Sequence, residues 1–249
     1  MISLIHQAIP IRGTPPWQAA RHSAASLLAG LALLAGAPAA QAITGDVTVW
    51  WNTLRIDVVD TDLNDGITPQ LTWLSQATVS GAARESSLPV SAGADDWVSP
   101  GGLSFSDTTL QLSTHFDANT LNVQASSSGG ADSVTRVYRY GQFQLSGAGR
   151  VMFSVDMEAH VFASPAELAW HGGSYGQVWP YADANLFFTD SIGIDHVLSP
   201  VAYLRADLDS WGTTRFGTLS TSIELAAGQT VYLMTQPGVV LNPVPEPQT

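Results

Sequence analysis

Four oxygen-bearing side chains, Asp60, Asp62, Asn64 and Asp65, fall within six residues of the run D-T-D-L-N-D. Carboxylate and amide oxygens at that density suit Ca²⁺, a hard cation that takes oxygen ligands. The EF-hand template wants glycine at its sixth position and glutamate at its twelfth, and here those are Asp65 and Leu71. A calcium loop at this place is therefore not an EF-hand. The same residues suit a turn whose short side chains cap their own backbone. Asp156 and Glu158 stand two apart, on one side of an alternating run, which is the spacing of a carboxylate pair on a strand. A glycosidase would use such a pair in a cleft flanking the scissile bond, and a solvated acidic patch would use it for nothing. Trp170, Tyr175, Trp179 and Tyr181 crowd one loop beside His171 and Gln177. Aromatic platforms with polar neighbours grip sugar rings, and they also plug the end of a sandwich.

Other chemistries have less support. His115, His160, His171 and His196 make neither H-x-x-x-H nor H-E-x-x-H, so zinc has no ready ligand set. There is no G-x-S-x-G elbow for a serine nucleophile. His171-Gly172-Gly173-Ser174 reads like an oxyanion loop, but the α/β pattern that would support one is missing. The chain has no cysteine, which removes disulfides, thiol catalysis and thiolate metal sites. Its nine basic residues are all arginine, so Schiff-base lysines and lysine isopeptide crosslinks are absent as well.

These groups must be positioned by strands. From Arg150 the sequence reads R-V-M-F-S-V-D-M-E-A-H-V. Val151, Phe153, Val155, Met157, Ala159 and Val161 fall on one side; Arg150, Ser154, Asp156, Glu158 and His160 fall on the other. Strand side chains alternate between faces, so this is one dry face and one wet face. A one-residue slip would expose the apolar set at roughly 1.5–3 kcal/mol per large side chain, against the roughly 5–15 kcal/mol that holds a domain. Phe143 and Leu145 lead into Ser146-Gly147-Ala148-Gly149, which predicts a hairpin whose glycines take positive φ.

Elsewhere, Val47 to Val59 predicts a first strand or two. Leu71, Trp73, Ala77 and Val79 form the apolar side of the next, and Ser91 to Ser106 reads as loop. Thr108 to Ala125 alternates, and Ser126 to Asp132 is a Ser/Gly loop. A helical turn is expected at Ser164–Leu168. Ala182, Ala184, Leu186 and Phe188 point inward, with Asp183 and Asn185 facing out. Ala202 to Leu208, Leu219 to Leu225 and Val231 to Met234 complete the set, with a turn at Ala226–Gln229. Strands at roughly ten-residue spacing, with no long helical period, predict an all-β antiparallel β-sandwich, jelly-roll-like, in one domain.

The ends carry addresses. Arg12 and Arg21, the apolar run Leu27 to Leu34 and the A-x-A site Ala40-Gln41-Ala42 make a secretory signal helix, with Ile43 the first mature residue. Without those two arginines the chain keeps seven basic against 21 acidic residues, a net charge of −14. Such a charge repels nucleic acid and anionic headgroups. The C-terminus ends N-P-V-P-E-P-Q-T, an extended proline-rich spacer. The expected division is 1–42 signal, 43–240 sandwich and 241–249 tail.

Val244-Pro245-Glu246-Pro247, and the strand and short loop that approach it, resemble the sorting signal of the PEP-CTERM proteins exported by Gram-negative bacteria. Asp62 to Pro69, followed by an alternating strand, also looks like a segment of some members. The resemblance implies an extracellular matrix or biofilm setting, with exosortase and its export machinery as partners if the sorting signal is intact. In that family the motif continues into a transmembrane helix and an arginine cluster. This sequence stops at Thr249, so no stable transmembrane anchor is expected in it.

The reading that results is a secreted, non-catalytic β-sandwich of the cell surface or matrix. Two other readings stay open. One is a carbohydrate-binding module, with or without calcium, that takes extracellular polysaccharide on Trp170, Tyr175, Trp179 and Tyr181. The other is a polysaccharide hydrolase or lyase working through Asp156 and Glu158.

Overall fold

The computed structural model describes residues 43–84, 90–128, 133–164, 180–191, 197–208 and 212–241. The expected signal segment with Ala40 and Ala42, the turn expected after Ser164, Trp170, Tyr175, Trp179 and the Val244–Pro247 motif lie outside the described residues.

Twelve strands are described: β1 Ile43–Asp60, β2 Leu71–Arg84, β3 Val90–Ala94, β4 Gly101–Ser106, β5 Leu110–Phe116, β6 Thr120–Ser127, β7 Ser133–Leu145, β8 Gly149–Ala163, β9 Tyr181–Thr189, β10 Ala202–Asp207, β11 Gly212–Leu225 and β12 Thr230–Leu241. They form two antiparallel six-stranded sheets, ordered β11-β8-β1-β6-β5-β4 and β10-β9-β12-β7-β2-β3. The protein is an all-β sandwich, and the chain crosses repeatedly from one sheet to the other.

The alternation of β8 is realised residue by residue. Val151, Phe153, Val155, Met157 and Ala159 are fully buried, and Val161 nearly so. Phe153 joins Phe143 and Phe188 across the two sheets, with ring centroids 5.5–6.0 Å apart in tilted or edge-to-face contact. Those geometries suit ring quadrupoles better than a face-to-face stack. Trp73 extends the cluster to Trp97, and Trp97 meets Trp51 at 5.0 Å. Gly141 makes room for this: a Cβ there would sit 2.4 Å from the Trp97 ring and 2.6 Å from Trp73.

Three local expectations are corrected. β7 and β8 are not a hairpin: they belong to opposite sheets, and residues 146–148 turn the corner between them. Gly147 and Gly149 are absent from the positive-φ glycines, which among the described residues are Gly66, Gly102 and Gly228. Their service is space, since a Cβ on Gly147 would meet Ile67 at 2.9 Å. Second, residues 91–106 hold most of β3 and all of β4; short edge strands need backbone pairing more than apolar side chains. Third, Val79 is 36% exposed while Thr78, Ser80 and Ala82 are buried. A register shift between Trp73 and Ser75 reverses the parity of β2. Asp183 points to the outer face as expected, and its neighbours there leave only 4% of it exposed.

Candidate functional site

The turn after β1 uses its acidic side chains on itself. Asp60 Oδ1 accepts from the Asp62 amide at 2.9 Å, Asp62 Oδ1 from the Asn64 amide at 3.2 Å, and Asp65 Oδ1 from the Ile67 amide at 2.7 Å. These are successive Asx turns, with Gly66 at φ 69°. Among the described residues no group of three or more His, Asp or Glu side chains is placed to hold a metal ion.

The outer face of the first sheet gathers like charge. Strand register puts Asp46 opposite His160 and Thr48 opposite Glu158 on β1 and β8. His160 Nε2 lies 2.6 Å from Glu158 Oε1, and its Nδ1 lies 2.9 Å from Thr214 Oγ1 on β11. Asn122 Nδ2 donates to Asp46 Oδ2 at 3.0 Å. Burial raises the Asp46 carboxyl above its usual value, against the pull of Asn122 and Gln124. Burial likewise raises Glu158; His160 opposes that shift and the Asp46 charge adds to it. Asp156, the other half of the predicted pair, accepts from Thr218 Oγ1. Its own amide donates to Thr53 Oγ1 at 2.9 Å, within the register shift of β1 between Trp50 and Arg55. The carboxylates do share one strand face, and each is bound to a neighbour.

The outer face of the second sheet pairs opposite charges. Arg136 on β7 reaches over β12 to Asp183 on β9, with Nη1 3.5 Å from Oδ1. The strand between them presents Gly238, which is registered against both residues. A Cβ at Gly238 would lie 2.9 Å from Arg136 Cγ and Nη1. Gln236, with its amide turned to satisfy both ends, accepts from Arg136 Nε and Nη1 at 3.3 and 2.9 Å. On the other side of Asp183 stands Arg205 of β10, directly opposite in register. Its guanidinium lies 3.7 Å from the centroid of the Tyr181 ring and pairs with Asp207. Burial raises the Asp183 carboxyl, outweighing the pull of Arg136 and Arg205. Tyr203, 51% exposed, contacts both Asp183 and Arg205 through its hydroxyl. Opposite Tyr203, Asn185 has a buried Oδ1 with no hydrogen-bond partner.

Sequence reasoning reached Tyr181 here and missed Arg136, Asp183, Tyr203 and Arg205 as a group. Their signal is the pairing of Tyr-x-Asp (181–183) with Tyr-x-Arg-x-Asp (203–207), which only strand register brings together.

A third polar group was missed because it lies inside. Arg139 is fully buried between the sheets. Nε donates to Thr78 Oγ1 at 3.0 Å and Nη2 to the Asp117 carbonyl at 2.8 Å, across the sandwich, while Nη1 has no partner. The guanidinium stands 5.1 Å from the Trp51 ring centroid. Burial lowers its pKa to about 10, against the charges of Asp117 and Asp96. Asp117 is itself fixed: its Oδ1 takes the Asn119 and Thr120 amides at 2.7 Å each. Burial opposes its ionisation, but those amides and His115 hold its carboxyl below the usual range. Arg139 thus ties the β5–β6 turn to the facing sheet.

No protein-family model, no curated protein and no solved structure matches this chain.

Proposed function

We propose that the chain is an exported, non-catalytic β-sandwich working at or beyond the outer surface of a Gram-negative cell, with exosortase-type sorting through Val244–Pro247. The observation that supports it most is how the described carboxylates are used. Asp60, Asp62 and Asp65 cap their own turn, Asp156 and Glu158 are bound by Thr218 and His160, and Asp183 by Arg136. Acidic groups bound in this way rigidify a fold and keep a surface hydrated, which is what a matrix protein needs. The test is to express the full chain in a Gram-negative host, fractionate the cells and sequence the N-terminus of the product. Export with Ile43 first supports the reading; an intact Met1 in the cytosol contradicts it.

A second reading, a carbohydrate-binding module, is favoured by one observation. Tyr181, the described member of the aromatic loop, lies at the margin of a face where Tyr203, Asn185, Asp183 and Arg205 meet. Binding to extracellular polysaccharide that is lost in Trp179→Ala would support the loop form of this reading.

A further inference from the structure

We propose that the outer face of β9, β10 and β12 is a binding site for a neutral glycan, its sugar ring stacked on Tyr203 and a ring hydroxyl bonded to the Asn185 amide. This deepens the carbohydrate-binding reading and rests on it, but it moves the site from the 170–181 loop onto the sheet.

Three features select this ligand. Tyr203 is an aromatic half in solvent on an edge strand, and Val201 just before that strand is 46% exposed. Its hydroxyl leans on Asp183 and Arg205, so the ring is held at the hydroxyl end and offers its surface outward. A sugar presents a face of C–H groups to such a ring and hydroxyls to whatever lies beside it. Next, Asn185 stands opposite Tyr203 in register and is only partly buried, so its side chain borders the ring on the solvent side. A sugar hydroxyl serves such an amide as donor or acceptor. Last, charge excludes the polyanions. Arg136 and Arg205 are matched by Asp183 and Asp207, so the site has no net charge, and the chain as a whole stands at −12. Uronic-acid polymers and sulfated glycans meet repulsion at long range and no free cation at contact.

The test is affinity electrophoresis of the full exported chain in native gels containing hydroxyethylcellulose, galactomannan or amylopectin, with alginate as the anionic probe. At least one neutral polymer should retard the protein and alginate should not. Tyr203→Ala should weaken retardation by roughly five- to tenfold, while Tyr203→Phe keeps the ring and most of the binding. Asn185→Ala is the second variant and should weaken it by roughly threefold or more. Retention in Trp179→Ala together with loss in Tyr203→Ala supports the sheet site, provided Tyr203→Ala melts as the parent does. Loss in Trp179→Ala alone overturns the sheet site and leaves the loop reading standing. Retardation by alginate only, or by no polymer at all, overturns both.

Discussion

The two outer faces of this sandwich are built from the same alternation, yet they solve opposite problems. On the face of β8, β1 and β11, Asp46, Asp156 and Glu158 are like charges, kept apart by threonine, asparagine and histidine partners. On the face of β7, β12, β9 and β10, unlike charges are drawn together over a glycine, and Asp183 is sealed beneath longer side chains. The first face keeps more contact with water: Glu158 is 16% exposed at its side chain and its partner His160 40%. The second has become partly an interior, because arginine and tyrosine stems from neighbouring strands lie across it. Pattern alone says which way a side chain points; how deeply it is buried depends on the reach of its neighbours.

The largest effect is expected where polarity is most deeply buried. Arg139→Ala removes the tie between the sheets, leaves the Asp117 carbonyl and Thr78 without their donor, and opens a cavity beside Trp51. Chemical denaturation should show a loss of about 3–5 kcal/mol. Arg139→Met fills the space without the charge and should cost less, about 1–2 kcal/mol.

The comparison of the two faces is sharpened by deleting one acid from each. Asp183→Ala leaves Arg136, 18% exposed at its side chain, without its carboxylate, and should destabilise by about 2–3 kcal/mol. Glu158→Ala on the other face should cost under about 1 kcal/mol, since His160 is 40% exposed and rehydrates. Equal losses in denaturant midpoint would erase the distinction between the faces. Gly238→Ala pushes on Arg136, a side chain that yields, and should cost roughly 1 kcal/mol.

The smallest effect has the opposite sign. Asp46 and Glu158 have raised carboxyl values in the folded chain, so the folded state binds their protons more readily than the unfolded state does. Their ionised forms therefore weaken the fold at neutral pH, and that weakening is relieved as pH falls through the raised values. Asp46→Asn should stabilise by on the order of 0.5–1 kcal/mol at pH 7. The gain should fade towards pH about 4, the ordinary carboxylate range. Asp96, lowered by the amide and hydroxyl of Ser99, and Asp117 act the other way, and their contribution is lost as pH falls below that range. Thermal melts of both proteins from pH 7 to pH 4 read the difference directly.

Much of this was legible. β8 is uniform because every second residue from Val151 to Val161 is apolar and the irregularity in its pairing falls on β1, so local pattern and global burial agree. β2 failed where the shift at Trp73/Ser75 changed parity, and nothing in L-T-W-L-S-Q announces an extra residue. The β7–β8 turn was misjudged because a glycine turn between two strands looks the same whether they pair or part to opposite sheets. Arg139 was there to be read: it shares parity with Val137, Gly141, Phe143 and Leu145, all on the inward side of β7. The group on the second face was out of reach, since Tyr203 and Asn185 meet only through the pairing of β10 with β9.

The protein contains no cysteine, so a single introduced thiol reports its own exposure without background. Ser154→Cys and Val155→Cys place thiols on adjacent residues of β8, one on the outer face and one in the core between the sheets. In native buffer, a thiol reagent should modify the first within minutes and leave the second untouched until denaturant is added. Equal labelling of both thiols in the folded protein would mean that the sandwich, and the two faces built on it, had been wrongly assigned.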